Sequence, residues 1–362
     1  SIVGFYASIS NYVFGDMDDV GKLMGLAPFG KTGIYNFDAF EFQSGRILVK
    51  DDWKHHFTNP SQGYDYFKLH FDYYVNVAKW AQEQVEKAVI SCIKNRVEQF
   101  PNENLCYSGG VALNAVANAK LDDLNLIKNL YIEPAAADNG LALGCAFYGW
   151  LEYLKMPKIA HDGSTCFGKK YAKDEVNKAL VSFEEYTKTE FNNEEELLNY
   201  CAKKLNEGKT IAWFQSGSEF GPRSLGRRSI LAHPGIIGMK DHINRNIKFR
   251  EDFRPFAPAV LQEKVSDYFE VGRKSPYMIL VDRTKEEFVE QLQNVTHQDG
   301  SARVQTIEKL WNPKFYKLVE AFENESGIAV LLNTSLNRKG MPIVETPTQA
   351  LQLFKETALD IL

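Results

Sequence analysis

Cysteine is scarce in this chain: five in 362 residues, Cys92, Cys106, Cys145, Cys166 and Cys201, with no CxxC pair among them. That spacing offers no disulfide framework and no zinc ribbon, and the five are expected to be small buried hydrophobes in a reducing compartment. Histidine lacks pattern: His55, His56, His70, His161, His233 and His242 form no HxxxH or HxH pair, so no complete histidine-based metal site is written in the text. No long apolar run and no signal-peptide pattern occur, so a soluble, cytoplasmic protein without membrane attachment is expected. Positive charge is not in excess either: 42 Lys and Arg against 47 Asp and Glu leave a net charge of −5, which argues against a general nucleic-acid or membrane-surface binder. Internal repeats and low-complexity tracts are missing.

What remains is an ordinary globular composition, 44% hydrophobic and 25% charged, in a chain long enough for two domains. Residues 73–100 place Val77, Ala81, Val85, Ala88, Val89 and Cys92 at spacings of three and four, which predicts a long amphipathic helix. "NLCYSGGVALNAVANAKL" then reads as strand, Ser-Gly-Gly turn and helix, and "NLYIEPAAADNGLALGCAFYGWLEYL" repeats the plan. Two such units in succession predict an α/β layer with its loops at one sheet edge. The irregular stretch "KMPKIAHDGSTCFGKKYAKD" is expected to hold a domain boundary, dividing 1–160 from 161–362. The chain opens on Ser1 with no Met, and "ETALDIL" still reads as helix where it stops; both ends are expected to be cuts from a longer protein.

The chemistry-bearing stretches are unevenly placed. Gly109 and Gly110, between strand and helix, suit close approach of a phosphate to the backbone, and a plain tight turn accounts for them equally well. Asp138 in "AAADNG" sits at a strand's end among residues too small to cover it, either as a metal or phosphate-water ligand or as an N-cap. Lys22 in "MDDVGKLMGLAPFGK" either faces an anion or decorates a capped surface helix. The second half is richer. "FGPRSLGRRSILAHP" carries Arg223, Arg227 and Arg228; "NRNIKFREDFRPFAP" carries Arg245, Lys248, Arg250 and Arg254; "HQDGSARVQT" adds His297, Asp299 and Arg303; "NTSLN" offers Asn333, Ser335 and Asn337. Guanidinium groups grip phosphate with two prongs, and a cluster of like charges calls for an anion to compensate it. Interleaving with Phe220, Phe249, Phe253 and Phe256 points to a walled pocket rather than scattered surface charge.

"GKLMGLAPFG", "SGGVALN", "PAAADNG", "FGPRSLGRRSILAHP", "IKFREDFRPFAPAV", "DGSARVQT" and "LLNTSLNRKGMPIV" occur in that order. Together they resemble the O-carbamoyltransferases of the nodulation-protein NodU and antibiotic-tailoring type, over essentially the whole chain. The resemblance implies an α/β fold: the second half of an actin/hexokinase-like (ASKHA) domain over 1–160, then a YrdC-like domain over 161–362. It implies two-stage chemistry, in which carbamoyl phosphate and ATP, with Mg2+ on the nucleotide, give carbamoyl adenylate. The carbamoyl group then passes to a hydroxyl of a small molecule: a sugar, an aminoglycoside or another natural product. Arg223, Lys248, Arg254 and Arg303 match the family positions that bind the anions, and Asn333 and Ser335 those that hydrogen-bond carbamoyl and phosphate. Arg227 and Arg250 belong to the same motifs. Gly109, Gly110, Asn114 and Asn139 match the nucleotide loop, with Lys22 beside it, and Asp138 matches a ligand of the family's Fe2+. The histidines that complete that iron site in the family precede the segment matched here, so this chain is expected to bind iron poorly. Two other readings stand beside this one: a sugar kinase of the actin/hexokinase superfamily, which accounts only for 1–155, and a non-catalytic nucleotide- or tRNA-binding module.

Overall fold

The computed structural model describes residues 1–362 except Ser44, His161, Ser182, Glu184 and Glu185. His161, both one of the histidines tallied above and the first residue of the second expected domain, therefore lies outside the described residues. The chain forms two compact units, Ser1–Asp138 and Asn139–Leu362.

In the first unit, helix α1 (Ile2–Phe14) starts where the Ser1 hydroxyl accepts the Gly4 N–H at 3.1 Å and stops at Gly15, whose φ of 75° suits glycine. A 3-10 turn over Met17–Asp19 leads into α2 (Val20–Leu26), and β1 (Phe40–Gln43) and β2 (Arg46–Val49) form an antiparallel ribbon. The short α3 (Tyr64–Leu69) precedes α4 (Phe71–Gln99), the long helix that the periodicity predicts. Val77, Ala81, Val85, Ala88 and Val89 are all buried on its inner stripe. The aromatic-rich stretch before α4 is packed: Trp53, Phe57 and Phe67 are buried, and Phe5 meets Phe40 and Trp53 edge-on at 4.9 and 5.3 Å. Strands β3 (Asn104–Tyr107) and β4 (Asn129–Ile132) pair in parallel with α5 (Ala115–Asp122) between them, a right-sized βαβ crossover.

The second unit begins with α6 (Gly140–Tyr148), α7 (Lys173–Val181) and α8 (Glu194–Asn206). Its centre is a mixed six-stranded sheet of β5 (Ile211–Phe214), β6 (Arg228–Ala232), β7 (Ala257–Leu261), β8 (Leu280–Arg283), β9 (Ser301–Ile307) and β10 (Val330–Ser335), in the order β5-β6-β10-β7-β9-β8. Only β7 and β9 run parallel; every other neighbour pair is antiparallel. Short helices α9 (Met239–His242) and α10 (Val265–Tyr268) flank the sheet, and α11 (Pro313–Ser326) buries Phe315, Leu318, Val319 and Phe322 in the core. The last helix, α12 (Pro347–Glu356), opens on a capping box between Thr346 and Gln349.

Two expectations are corrected. "ETALDIL" is not a continuing helix: α12 ends at Glu356, and Ile361 bridges Ile211 at the outer side of β5, with Ala212 N–H donating to the Ile361 carbonyl at 2.8 Å. Asp360 fixes this turn by accepting both the N–H and the hydroxyl of Thr210 at 2.9 Å, and such local capture of backbone outcompetes one more helical turn. The cysteines are free, but only Cys201 is buried; Cys106 and Cys145 are exposed. Small Ala/Gly-rich surroundings made Cys145 read as core, yet α6 buries none of its residues.

A candidate anion site in the C-terminal unit

The arginine turn divides its labour. Arg228 is fully buried and structural: its guanidinium lies over the Phe214 ring at 3.6 Å and donates to the carbonyls of Gln215, Ser216 and Arg227 at 2.9 to 3.0 Å. Arg227 donates from Nη2 to the Trp311 carbonyl at 2.9 Å and pins the turn against the start of α11. The Glu219 carboxylate closes the loop by accepting the N–H groups of Leu225 and Arg227 at 2.7 and 2.6 Å. Gly226 sits at φ 93° with the Phe315 ring where a side chain would start, so only glycine fits. Arg223 is thereby held at the tip, and its Nε is buried without a hydrogen-bond partner among the described residues.

The second cationic segment follows a π-helical turn over Ile243–Ile247, at whose end Lys248 N–H donates to the Ile243 carbonyl at 2.8 Å. Phe249 next adopts φ 48°, a strained conformation for a bulky residue. Lys248 is buried, and its ammonium donates to the Ser335 carbonyl at 2.7 Å, the Ser335 hydroxyl at 3.1 Å and Asn337 Oδ1 at 2.6 Å. Arg250 stacks on Phe256 at 4.6 Å and donates from Nε to Asn244 Oδ1 at 2.7 Å. Arg254 lies 3.8 Å from Glu251, which also accepts from Lys339 at 2.8 Å. On β10, Asn333 is held by its amide, which donates to the Ser224 carbonyl at 3.1 Å and Gln305 Oε1 at 2.6 Å. Its Oδ1 is buried with no partner among the described residues.

These cations converge. Burial and the charge of Arg254 hold the Arg223 guanidinium down to about 10, and the same two causes bring Arg250 down to about 9. Lys248 is pushed well below its ordinary value by burial and then by Arg250 and Arg254. Arg303, on β9, is pushed down by burial and then by Arg223, Arg250 and Arg254. Five cationic side chains therefore share one region, where Glu251 lies 3.8 Å from Arg254. At an effective dielectric of about 20, two unit charges 6 Å apart repel by about 3 kcal/mol, so such a group favours a multiply charged anion that restores the balance. Beside it a recess opens between Cys166, Leu225, Tyr277, Gln305 and Trp311, lined by none of the five cations.

Of the site residues expected from sequence, Arg223, Lys248, Arg250, Arg254 and Arg303 are brought together, with Ser335 on the Lys248 ammonium. Arg227 instead supports the turn through the Trp311 carbonyl. In the first unit, Gly109 donates its N–H to the Ala136 carbonyl at 2.9 Å, so the Ser-Gly-Gly turn and the "PAAAD" turn are joined, and Gly110 opens a 3-10 turn. Asn114 is buried as the N-cap of α5, accepting from Ala117 at 3.0 Å, and exchanges both amide contacts with Gln82 at 3.0 Å. Lys22 pairs with Asp19 at 2.5 Å. Asp138 is exposed and is not the N-cap of α6; that position belongs to Asn139, whose side chain makes no capping bond. No group of three or more His, Cys, Asp or Glu able to hold a metal occurs among the described residues, so the donor set does not fit an iron centre. No helix among the described residues is long and apolar enough to cross a membrane. Glu219 carries no signal in the sequence, because it acts through backbone contacts made only in the folded loop.

Two family models match successive parts of this chain. Residues 1–147 match the family described as Carbamoyltransferase N-terminus, and residues 202–362 match Carbamoyltransferase C-terminus. An uncharacterized protein of Synechocystis sp. is 34% identical over 94% of this chain and 62% of its own length. Nodulation protein NolO of Bradyrhizobium diazoefficiens is 32% identical over 98% of this chain and 66% of its own. A 3'-hydroxymethylcephem-O-carbamoyltransferase of Amycolatopsis lactamdurans is 31% identical over 90% of this chain and 59% of its own. The chain thus spans roughly three fifths of the length of these curated relatives. With both halves of the family matched in order and the cationic motifs folded into one cluster, the chain belongs to the carbamoyltransferase family of the NodU type.

Proposed function

We propose that this chain is part of an O-carbamoyltransferase, with a YrdC-like C-terminal unit that makes carbamoyl adenylate and an actin/hexokinase-like N-terminal unit that takes part in transfer. Its co-substrates are carbamoyl phosphate and ATP, with Mg2+ carried on the nucleotide, and its acceptor is a hydroxyl of a small molecule such as a sugar, an aminoglycoside or another natural product. The observation that carries the reading is the cluster of five positive side chains, with Glu251 beside Arg254.

The chemistry asks for such a cluster. Water first hydrolyses carbamoyl phosphate to carbamate, with inorganic phosphate leaving; a carbamate oxygen then attacks the α-phosphorus of ATP, a carbamoyl O–P bond forms, the α–β bridge breaks, and pyrophosphate leaves. Several anionic groups must be held together against their mutual repulsion, and charge grows on the phosphoryl oxygens in the transition state. Arg223, Arg250, Arg254 and Arg303 supply two-pronged donors for those oxygens, and Lys248 a point charge. Asn333 Oδ1, a buried acceptor, suits the carbamoyl N–H2. In the first unit the Gly109–Gly110 turn suits a phosphate.

The test is ATP/pyrophosphate exchange dependent on carbamoyl phosphate. Native protein is expected to exchange, and Lys248→Ala and Arg254→Ala to lose at least 95% of the rate, about 2 kcal/mol per charge-assisted contact. Unchanged exchange in both variants rejects the assignment.

A further inference from the structure

Two buried polar atoms of the C-terminal unit have complementary needs: Nε2 of His297 and Nε of Arg303 each lack a hydrogen-bond partner among the described residues. One is a potential acceptor and the other a donor. The geometry fixes which nitrogen of His297 is bare. Ser301 Oγ gives its only proton to Asp299 Oδ1 at 2.7 Å, so toward His297 it can only accept, and His297 Nδ1 lies 3.1 Å away. Nδ1 therefore carries the ring proton, and Nε2 keeps its lone pair. The backbone locks the arrangement, because His297 N–H donates to the Ser301 carbonyl at 2.6 Å and Ser301 N–H to Asp299 at 3.0 Å.

Strand alternation places Ser301, Arg303 and Gln305 on one face of β9. The His297 ring, seated on Ser301, thus stands beside Arg303. Burial comes first in holding the ring's pKa down to about 4; Asp299 opposes it, and the charges of Arg303 and Lys240 add to it, so the ring is uncharged at neutral pH. The cluster already uses a recurring device. Arg250 Nε is held by Asn244 Oδ1, and the Lys248 ammonium by Ser335 and Asn337, all neutral acceptors. A neutral acceptor fixes a cation's direction and leaves its full charge for a ligand, where a carboxylate would cancel it.

We propose that His297 is the positioning residue of Arg303: its Nε2 lone pair, oriented through Ser301 by Asp299, receives the Arg303 Nε–H when an anion engages the outer edge of the guanidinium. This rests on the reading of the cluster as an anion site.

The experiment is calorimetric titration of pyrophosphate into the native protein, His297→Leu, His297→Gln, Arg303→Met and the His297→Leu/Arg303→Met double variant. The expected pattern is a loss of about tenfold in affinity for His297→Leu, recovery to within threefold for His297→Gln, whose amide oxygen accepts in the same place, and no further effect of His297→Leu once Arg303 is Met. Equal losses in both backgrounds, or none in either, overturn the proposal and leave the anion site standing. Native affinity retained by Arg303→Met overturns both. A histidine 15N spectrum gives an independent readout that needs no ligand: His297 protonated at Nε2 rather than Nδ1 also overturns the proposal.

Discussion

Lys248 Nζ and Asn337 Oδ1 lie 2.6 Å apart, and the two acceptors that complete the ammonium's coordination both come from Ser335. A buried ammonium is thus fully hydrogen-bonded yet uncompensated in charge. Replacing it with Met removes an anion contact and also a buried charge. Lys248→Met is expected to weaken pyrophosphate binding at least tenfold while unfolding free energy changes by less than about 1 kcal/mol. Calorimetry and urea unfolding on the same preparation check the pair.

The same reasoning gives Arg303 an opposite sign for stability and for binding. Burial and three neighbouring arginines disfavour its charged form in the folded protein. Arg303→Met is expected to raise the ligand-free Tm by about 2–4 °C while abolishing the rise that saturating pyrophosphate gives the native protein. Thermal melts with and without pyrophosphate decide it. A lower ligand-free Tm would mean that Arg303 stabilises the fold.

Glu219 predicts a pH signature. Burial raises its carboxyl above the ordinary value, and the hydrogen bonds from Leu225 and Arg227 and the charge of Arg228 only partly oppose this. A raised acid pKa means that the folded state holds its proton more tightly than the unfolded one. Its favourable contribution is complete below about pH 4.5 and is lost as pH rises through the folded pKa. Glu219→Gln keeps the acceptor for both N–H groups and removes the buried charge. Its Tm relative to native protein is expected to rise from pH 5 to pH 8, measured in matched ionic strength.

Gly226 is a steric prediction. At φ 93°, an added Cβ lies 2.2 Å from Phe315 Cδ1. Gly226→Ala is expected to cost about 3 kcal/mol or more, the sum of an unfavourable backbone conformation and displacement of a core ring. Because the same turn presents Arg223, pyrophosphate affinity is expected to fall as well. Normal unfolding midpoint and normal affinity together would show that the turn tolerates a side chain.

Much of this was legible before folding. The 3.6-residue spacing in 73–100 marked α4 to within two residues at its start, since an amphipathic stripe that long has one solution. Glycine, proline and arginine in "FGPRSLGRRS" marked an unusual loop, but not which arginine did what. That depended on tertiary partners: Phe214 for Arg228, the Trp311 carbonyl for Arg227, and other cations for Arg223. Asn114 shows the converse, since its partner Gln82 lies 32 residues away and no local pattern announces it, whereas Lys22 pairs with Asp19 at the local i,i+3 spacing. The C-terminal heptapeptide misled because its residues suit a helix, while Asp360 finds Thr210, 150 residues away.

The position of β10 sets the order in which this machinery can come into being. It is the last strand of the sheet to be synthesised, yet it sits between β6 and β7, whose pairing partners on that side it supplies. Until residue 335 has left the ribosome, two apolar strands keep raw edges toward each other, and Lys248 has no seat for its ammonium. A nascent or truncated chain that stops before this strand is therefore expected to expose two apolar strand edges and to lack the seat of the Lys248 ammonium.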